Sequence, residues 1–162
     1  MTTTNVKSGA YLKSVFSATA ALGDKVVSSD AMFEVEGEEQ ISLLIKQFPW
    51  PELSPGGEIE VPMPNGSKRW QPQQLNVAQQ GQITFMETQA GHIQSFMERV
   101  IFNNGARFNA VVYEGTADDY SRKCEIRDCF VQLENPDRDW ENRGQIMQIS
   151  GTLFFHYFGS EA

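Results

Sequence analysis

The sequence predicts a mainly β fold: an antiparallel barrel or sandwich of about seven or eight strands with one flanking α-helix and a long projecting hairpin or loop. Three observations predict it. Apolar and polar residues alternate along most of the chain, which is the period of strands with one buried face. One segment alone switches to helical spacing. Six of the seven prolines fall between positions 49 and 72, where they could not donate to a central ladder.

At 162 residues the chain suits a single domain over 1–162, long enough to bury a core without disulfides or metal. Residues 1–28 read as an N-terminal arm. Leu12, Val15 and Phe16 begin a helical stripe, but Thr19 interrupts it, so a loosely ordered arm is expected rather than an independent helix. Ala18-Thr19-Ala20 imitates a signal cleavage site, yet Lys13 breaks the apolar stretch that a signal peptide needs. No apolar run approaches the ~20 residues of a membrane-crossing helix, so no membrane anchor is expected.

Further along, Phe33 and Val35 alternate with Glu34 and Glu36, and residues 41–48 form a second apolar run. The intervening Gly37-Glu38-Glu39-Gln40 implies a hairpin between the two. Segment 49–72 also holds Gly56-Gly57 and Asn65-Gly66, the second a tight-turn pair, so it reads as a projection. Projections of this length commonly bind something or order a neighbour. Trp50 and Trp70 flank it, to staple its base or to make contacts.

Leu75, Val77, Ile83 and Phe85 carry the alternating phase through a Gln-rich stretch. Over 88–102 the period changes: Ile93, Phe96, Met97, Val100 and Ile101 follow helical spacing, with Thr88 as cap and Asn104-Gly105 as stop. Residues 108–113 and 122–133 are strands. The second shifts its apolar phase from Cys124 and Ile126 to Cys129, Val131 and Leu133, which places a bulge near Arg127-Asp128. In the last strand, over 145–158, Met147, Ile149, Leu153, Phe155 and Tyr157 oppose Gln148, Ser150, Thr152 and His156.

The stretch Asn135-Pro-Asp-Arg-Asp-Trp-Glu-Asn-Arg-Gly144 gathers Asp137, Asp139 and Glu141 with Arg138, Arg143 and Trp140. A calcium loop counted from Asp137 would need Gly at the sixth position and Glu at the twelfth; the residues there are Asn142 and Gln148. A glycosidase needs two carboxylates facing each other across a sugar, whereas three on one extended edge do not make that pair unaided. Asn, Pro, Asp and Gly are turn residues, so a solvated hairpin end is the favoured reading.

Cys124 and Cys129 lie five apart in one strand, too far for a mutual disulfide, and read as reduced core thiols. With His92 and His156 they show no zinc-ligand spacing. There is no phosphate loop, no nucleophile elbow and no cofactor signature. The net charge of −8, with Lys68-Arg69 and Arg122-Lys123 as isolated basic pairs, argues against binding that depends on neutralising many phosphates. Half-polar strands, a projecting segment and an acidic balance instead suit a non-enzymatic subunit that completes itself by assembly.

The block "CEIRDCFVQLENPDRDWENRGQIMQISGTLFFHYFG", with the preceding "GQITFMETQAGHIQSFMERVIFNNGARFNAVVYEG", resembles the tail tube proteins of contractile-tailed bacteriophages. The resemblance covers 81–159 well and the first half by layout only. It implies a barrel or sandwich with a flanking helix, hexameric rings of identical subunits, and rings stacked into a tube inside a contractile sheath. The partners it implies are further copies of the chain, with sheath, baseplate and tape-measure proteins, in a virion tail assembled in the host cytoplasm. DNA would pass through the lumen without specific binding.

On that resemblance, Glu34, Glu36, Gln82, Thr84, Gln148 and Ser150 are lumen-facing candidates. Trp50, Asn65, Trp70, Asp137, Arg138, Asp139, Trp140 and Glu141 are candidates for contacts between subunits, with Trp140 expected to be buried in a contact or under the hairpin. The related alternative is a type VI secretion tube protein. A third reading, from another class, is a β-sandwich hydrolase or carbohydrate-binding module with Trp50, Trp70 and Trp140 as sugar platforms.

Overall fold

The computed structural model describes residues 8–159, so the first seven residues of the expected N-terminal arm lie outside that range. The chain divides into two compact units, Met1–Asp30 and Ala31–Ala162. In the first, helix α1 (Gly9–Ala21) replaces the loose arm that the broken stripe implied. Local terms account for the difference. Ser8 caps the helix, its Oγ accepting from the Tyr11 N–H at 3.2 Å, and Ala18, Ala20 and Ala21 favour the last turn whatever the stripe does.

The second unit contains strands β1 (Met32–Val35), β2 (Ile45–Gln47), β3 (Glu58–Pro62), β4 (Lys68–Pro72) and β5 (Ala78–Met86). Helix α2 (His92–Asn104) follows, then β6 (Phe108–Gly115), β7 (Tyr120–Leu133) and β8 (Gln148–His156). Six strands form one antiparallel, nearly closed barrel-like sheet in the order β1-β6-β7-β8-β5-β2, and β3 with β4 forms a separate ribbon.

The sheet has one apolar face. Ile83, Phe85, Val112, Ile126, Leu153 and Phe155 point into the core, and α2 closes over it with Ile93, Phe96 and Val100. Phe96 meets Phe108 edge-on, with centroids 5.9 Å apart. The expected helix is therefore present, but its N-terminus differs. It begins at His92 behind a left-handed Gly91, and Glu87 supplies the cap. The Glu87 carboxylate accepts from the N–H groups of Thr88, Ile93 and Gln94 at 2.9, 3.1 and 3.1 Å. An anion there also meets the positive end of the helix dipole. Thr88 has a lesser share, its Oγ1 accepting from the His92 N–H at 3.3 Å. The stop lies at Gly105, whose φ of 64° is the left-handed geometry that a helix terminus favours.

The expected β1–β2 hairpin does not form. β1 pairs with β6 and β2 with β5, at opposite ends of the sheet order. Residues Glu39–Leu44 between them wind into a 3₁₀ turn. Ile41 and Leu44, three apart, then fall on one side; Ile41 is buried and Leu44 packs against the core. The apolar run had two interpretations, and burial through a helical turn prevailed.

The bulge in β7 is present: Asp128 has φ 48°, and the register with β8 jumps between Arg127 and Phe130. The Asp128 N–H, freed from the ladder, donates to Asn109 Oδ1 at 3.2 Å. Beyond the bulge, Gly151 of β8 lies so close to β7 that a Cβ would collide with the carbonyl of Gln132, a backbone group that cannot give way. Gly151→Ala is therefore expected to destabilise the fold by about 1–3 kcal/mol, the usual cost of overpacking, read as a lowered urea midpoint. An unchanged midpoint would remove that account of the β7–β8 approach.

Candidate assembly surfaces

Residues 49–77 form the projection, and its base is firmly mounted. Pro49 packs on Gly81, where a Cβ would strike the proline ring, and Pro51 is fully buried. The Arg122 guanidinium lies over the Trp50 ring, 5.6 Å from its centroid. Gln79 Nε2 donates to the Glu52 carbonyl at 2.8 Å. Trp50 thus staples the base of the projection.

Above the base, β3 and β4 pair from Glu58↔Pro72 to Pro62↔Lys68 around a turn in which Asn65 and Gly66 have φ 64° and 78°. Asn65 is therefore at the tip, and Trp70 stands on the flank with 67% of its surface exposed. Among the described residues, neither outer edge of the ribbon pairs with another strand. A lone two-stranded ribbon is marginal in water, and its unpaired edges are templates for another chain.

Loop 134–147 joins β7 to β8 as a hairpin end, and Asp137, Arg138, Asp139, Trp140 and Glu141 are all exposed. The chain here is irregular and turns at Trp140-Glu141, so the three carboxylates do not share the extended edge that their alternation implied. Asp139 closes the turn, its Oδ1 accepting from the Glu141 N–H at 3.0 Å. Trp140 is 96% exposed, not buried under the hairpin, because the turn carries its indole away from the sheet. Among the described residues no cluster of three or more acidic, His or Cys groups could hold a metal ion.

The outward face of β5, β8 and β7 forms a third surface. Cross-strand pairing sets Gln82, Thr152 and Gln132 in one row and Thr84 beside Ser150 in the next. In an adjoining row Phe130 and Phe154 stack at 4.8 Å and 14°. Gln82, Gln148 and Ser150 are exposed there. Thr84 is buried, contrary to its lumen-facing expectation, because its short side chain lies between paired strands, flanked by Gln47 and Ser150. Glu34 and Glu36 belong elsewhere, on the β1 side, where Glu36 pairs with Arg127 at 2.8 Å and Arg127 also reaches Glu125 at 2.8 Å.

Sequence reasoning missed two features. Arg122 reads as half of an isolated basic pair, yet its phase matches that of inward Cys124. It forms a two-pronged contact to Glu114, at 2.5 and 3.2 Å, and Ser121 Oγ donates to the same carboxylate at 3.2 Å. The Arg122 hydrogen bond holds the Glu114 carboxyl below its ordinary value. The second feature, the Phe130–Phe154 stack, was legible only in the outward phase of two aromatic residues.

A carboxyl with a depressed value stabilises the fold above its unfolded value of 4.5 and loses that contribution as pH falls through its folded value. Glu114→Gln is therefore expected to lower stability at neutral pH and to flatten the fall in stability below pH 4.5, measured by thermal melts across the acid range. Parallel acid profiles for the two proteins would dismiss the pair as a stabilising contact.

No family model and no curated protein matches the chain. Solved structures do. A chain of the anti-feeding prophage tube-terminating cap is 14% identical with a TM-score of 0.55, covering 83% of this chain and 89% of its own. A chain of the PVC sheath/tube terminator, from an extracellular contractile injection system, is 12% identical with a TM-score of 0.56, over 83% and 94%. A chain of the PVC sheath–tube complex is 16% identical with a TM-score of 0.51, over 85% and 92%. At these identities the likeness is one of fold: the chain has the architecture found in contractile injection system particles, along nearly the whole length of those chains.

Proposed function

We propose that the protein is a structural, non-enzymatic subunit of a contractile tail or injection tube, assembling with copies of itself into hexameric rings. The observation that carries this reading is the ribbon β3–β4, a rigidly based projection whose outer edges pair with no other strand among the described residues and whose Trp70 is exposed. Fold likeness to chains of tube, sheath-tube and terminator assemblies supports it. Asn65, Trp70 and loop residues Asp137, Arg138, Asp139, Trp140 and Glu141 are then contacts between subunits. Trp50 acts through the mounting of the projection.

The uncharged outward rows of β5 and β8, with Gln82, Gln148 and Ser150, are the proposed lumen lining. Glu34 and Glu36 stand apart from these rows, on the β1 side of the sheet, and are proposed as a separate stretch of the lining. A net charge of −8 gives phosphates no counterion-release gain for sticking, so DNA would pass without specific binding. Sheath, baseplate and tape-measure proteins are the further partners of this reading, and a virion tail built in the host cytoplasm is its setting. A second reading, a terminal ring, draws on the two cap and terminator chains among the similar structures.

Light scattering and negative-stain microscopy of the purified protein test both. Rings stacked into tubes of uniform width are expected for a repeating subunit, and single closed rings for a terminator. Deleting 58–72 is expected to abolish stacking while leaving the circular dichroism of the sheet. Asp137→Asn with Glu141→Gln should shift the salt concentration at which assembly occurs. A protein that stays monomeric at millimolar concentration, with or without the ribbon, overturns the proposal.

A further inference from the structure

Helix α2 and loop 134–147 enclose an open groove of about 510 Å³. Its floor is apolar, built from Met97, Ile101, Leu133 and Met147. These side chains reach the groove because the core takes Ile93, Phe96 and Val100 from α2, which leaves Met97 and Ile101, one position further round, on the flank. Ile101 is 48% exposed. The rim is acidic, with Glu87, Glu98 and Glu134 against the single guanidinium of Arg138.

Helix α1 presents the complementary surface. Thirteen residues in isolation make a marginal helix, and none of the residues of α1 is buried. Leu12, Val15 and Phe16 lie on one face at helical spacing and are 55, 46 and 74% exposed. The only charged side chain in the helix is Lys13. An apolar stripe with one cation matches an apolar floor with a net negative rim, in the manner of a helix laid into a groove.

We propose that α1 of one copy docks in the α2 groove of a second copy. Groove and helix are different surfaces, so the contact is heterologous, the type that closes into rings or continues into stacks. The inference rests on the assembly reading and deepens it by naming the two surfaces that meet.

Val15→Cys and Ile101→Cys, made in separate full-length chains and mixed with a short bis-maleimide, test it. Cys124 and Cys129 are buried and do not compete. Docking raises the local thiol concentration towards the millimolar range, so the mixture should yield roughly tenfold more cross-linked dimer than either variant alone. Phe16→Asp in the first chain or Met97→Glu in the second should remove the excess, with circular dichroism confirming that each remains folded. A mixture no better than the single variants, or a double variant that cross-links only within one chain, overturns the proposal. Rings of the unmodified protein without the cross-link would sink the docking and leave the assembly reading standing. The cross-link without rings would do the reverse.

Discussion

The constraint on which the rest depends is the pairing of β8 with β5 on one side and β7 on the other, drawn tight where Gly151 meets the Gln132 carbonyl. Side chains of a strand alternate, so fixing one register fixes the faces of all three strands. Ile149, Leu153 and Phe155 then point into the core together with Ile83, Phe85 and Val131. A slip of one residue would exchange that set for Ser150, Thr152 and Phe154 and turn two hydroxyls towards the core that α2 covers. The bulge at Asp128 reconciles the two halves of β7 with this requirement, because the strand must serve β6 in one phase and β8 in the other.

The same register sets the mounting of the projection. Gly81 sits opposite Leu153 in β5, and the missing Cβ lets Pro49 lie directly on the strand. Trp50 then reaches Arg122, which Glu114 of β6 holds, its carboxylate in turn accepting from Ser121 of β7. The indole is therefore anchored to a charge whose own position is determined by two hydrogen-bonded strands. Rigidity at the base coexists with a ribbon that, among the described residues, joins no other strand. An element so mounted loses little conformational freedom on binding, which is the general advantage of preorganisation.

Much of this was legible in the residues. The period change at 88–102, the Asn65-Gly66 turn and the phase slip at Arg127-Asp128 each follow from local geometry; the turn and the slip are where the sequence placed them, and the helix is present but runs from His92 to Asn104. What escaped were the features decided by tertiary partners. β1 and β2 look like a hairpin because Gly37 can turn, but each finds a longer strand to pair with, and Ile41 gains more from the core than from a ladder. Glu87 stands ahead of the helix it caps, outside the usual cap position, so spacing alone pointed to Thr88. For Thr84, alternation correctly gave the face but said nothing of its neighbours' shielding. The candidate contact residues of loop 134–147 were legible as exposed, since turn chemistry requires it; what they touch depends on another molecule.

The distribution of charge across the sheet follows from the same topology. Carboxylates and guanidiniums cluster where β1, β6 and β7 face solvent, and there they neutralise each other through Arg127 with Glu36 and Glu125. On β5 and β8 the outward positions carry no carboxylate, lysine or arginine: they are mainly amides and hydroxyls, with Ala78, Met86, His156 and Phe154, which stacks on Phe130 of β7. Surface ion pairs contribute little to stability, commonly below about 1 kcal/mol, so the segregation is not explained by folding alone. An amide- and hydroxyl-lined face is well hydrated, offers phosphates no fixed cation, and carries no dense anionic field that would resist their entry. In a conduit for a polyanion, neutrality of the wall matters more than repulsion, because a moving charge is retarded by any site that holds it and by any barrier that excludes it.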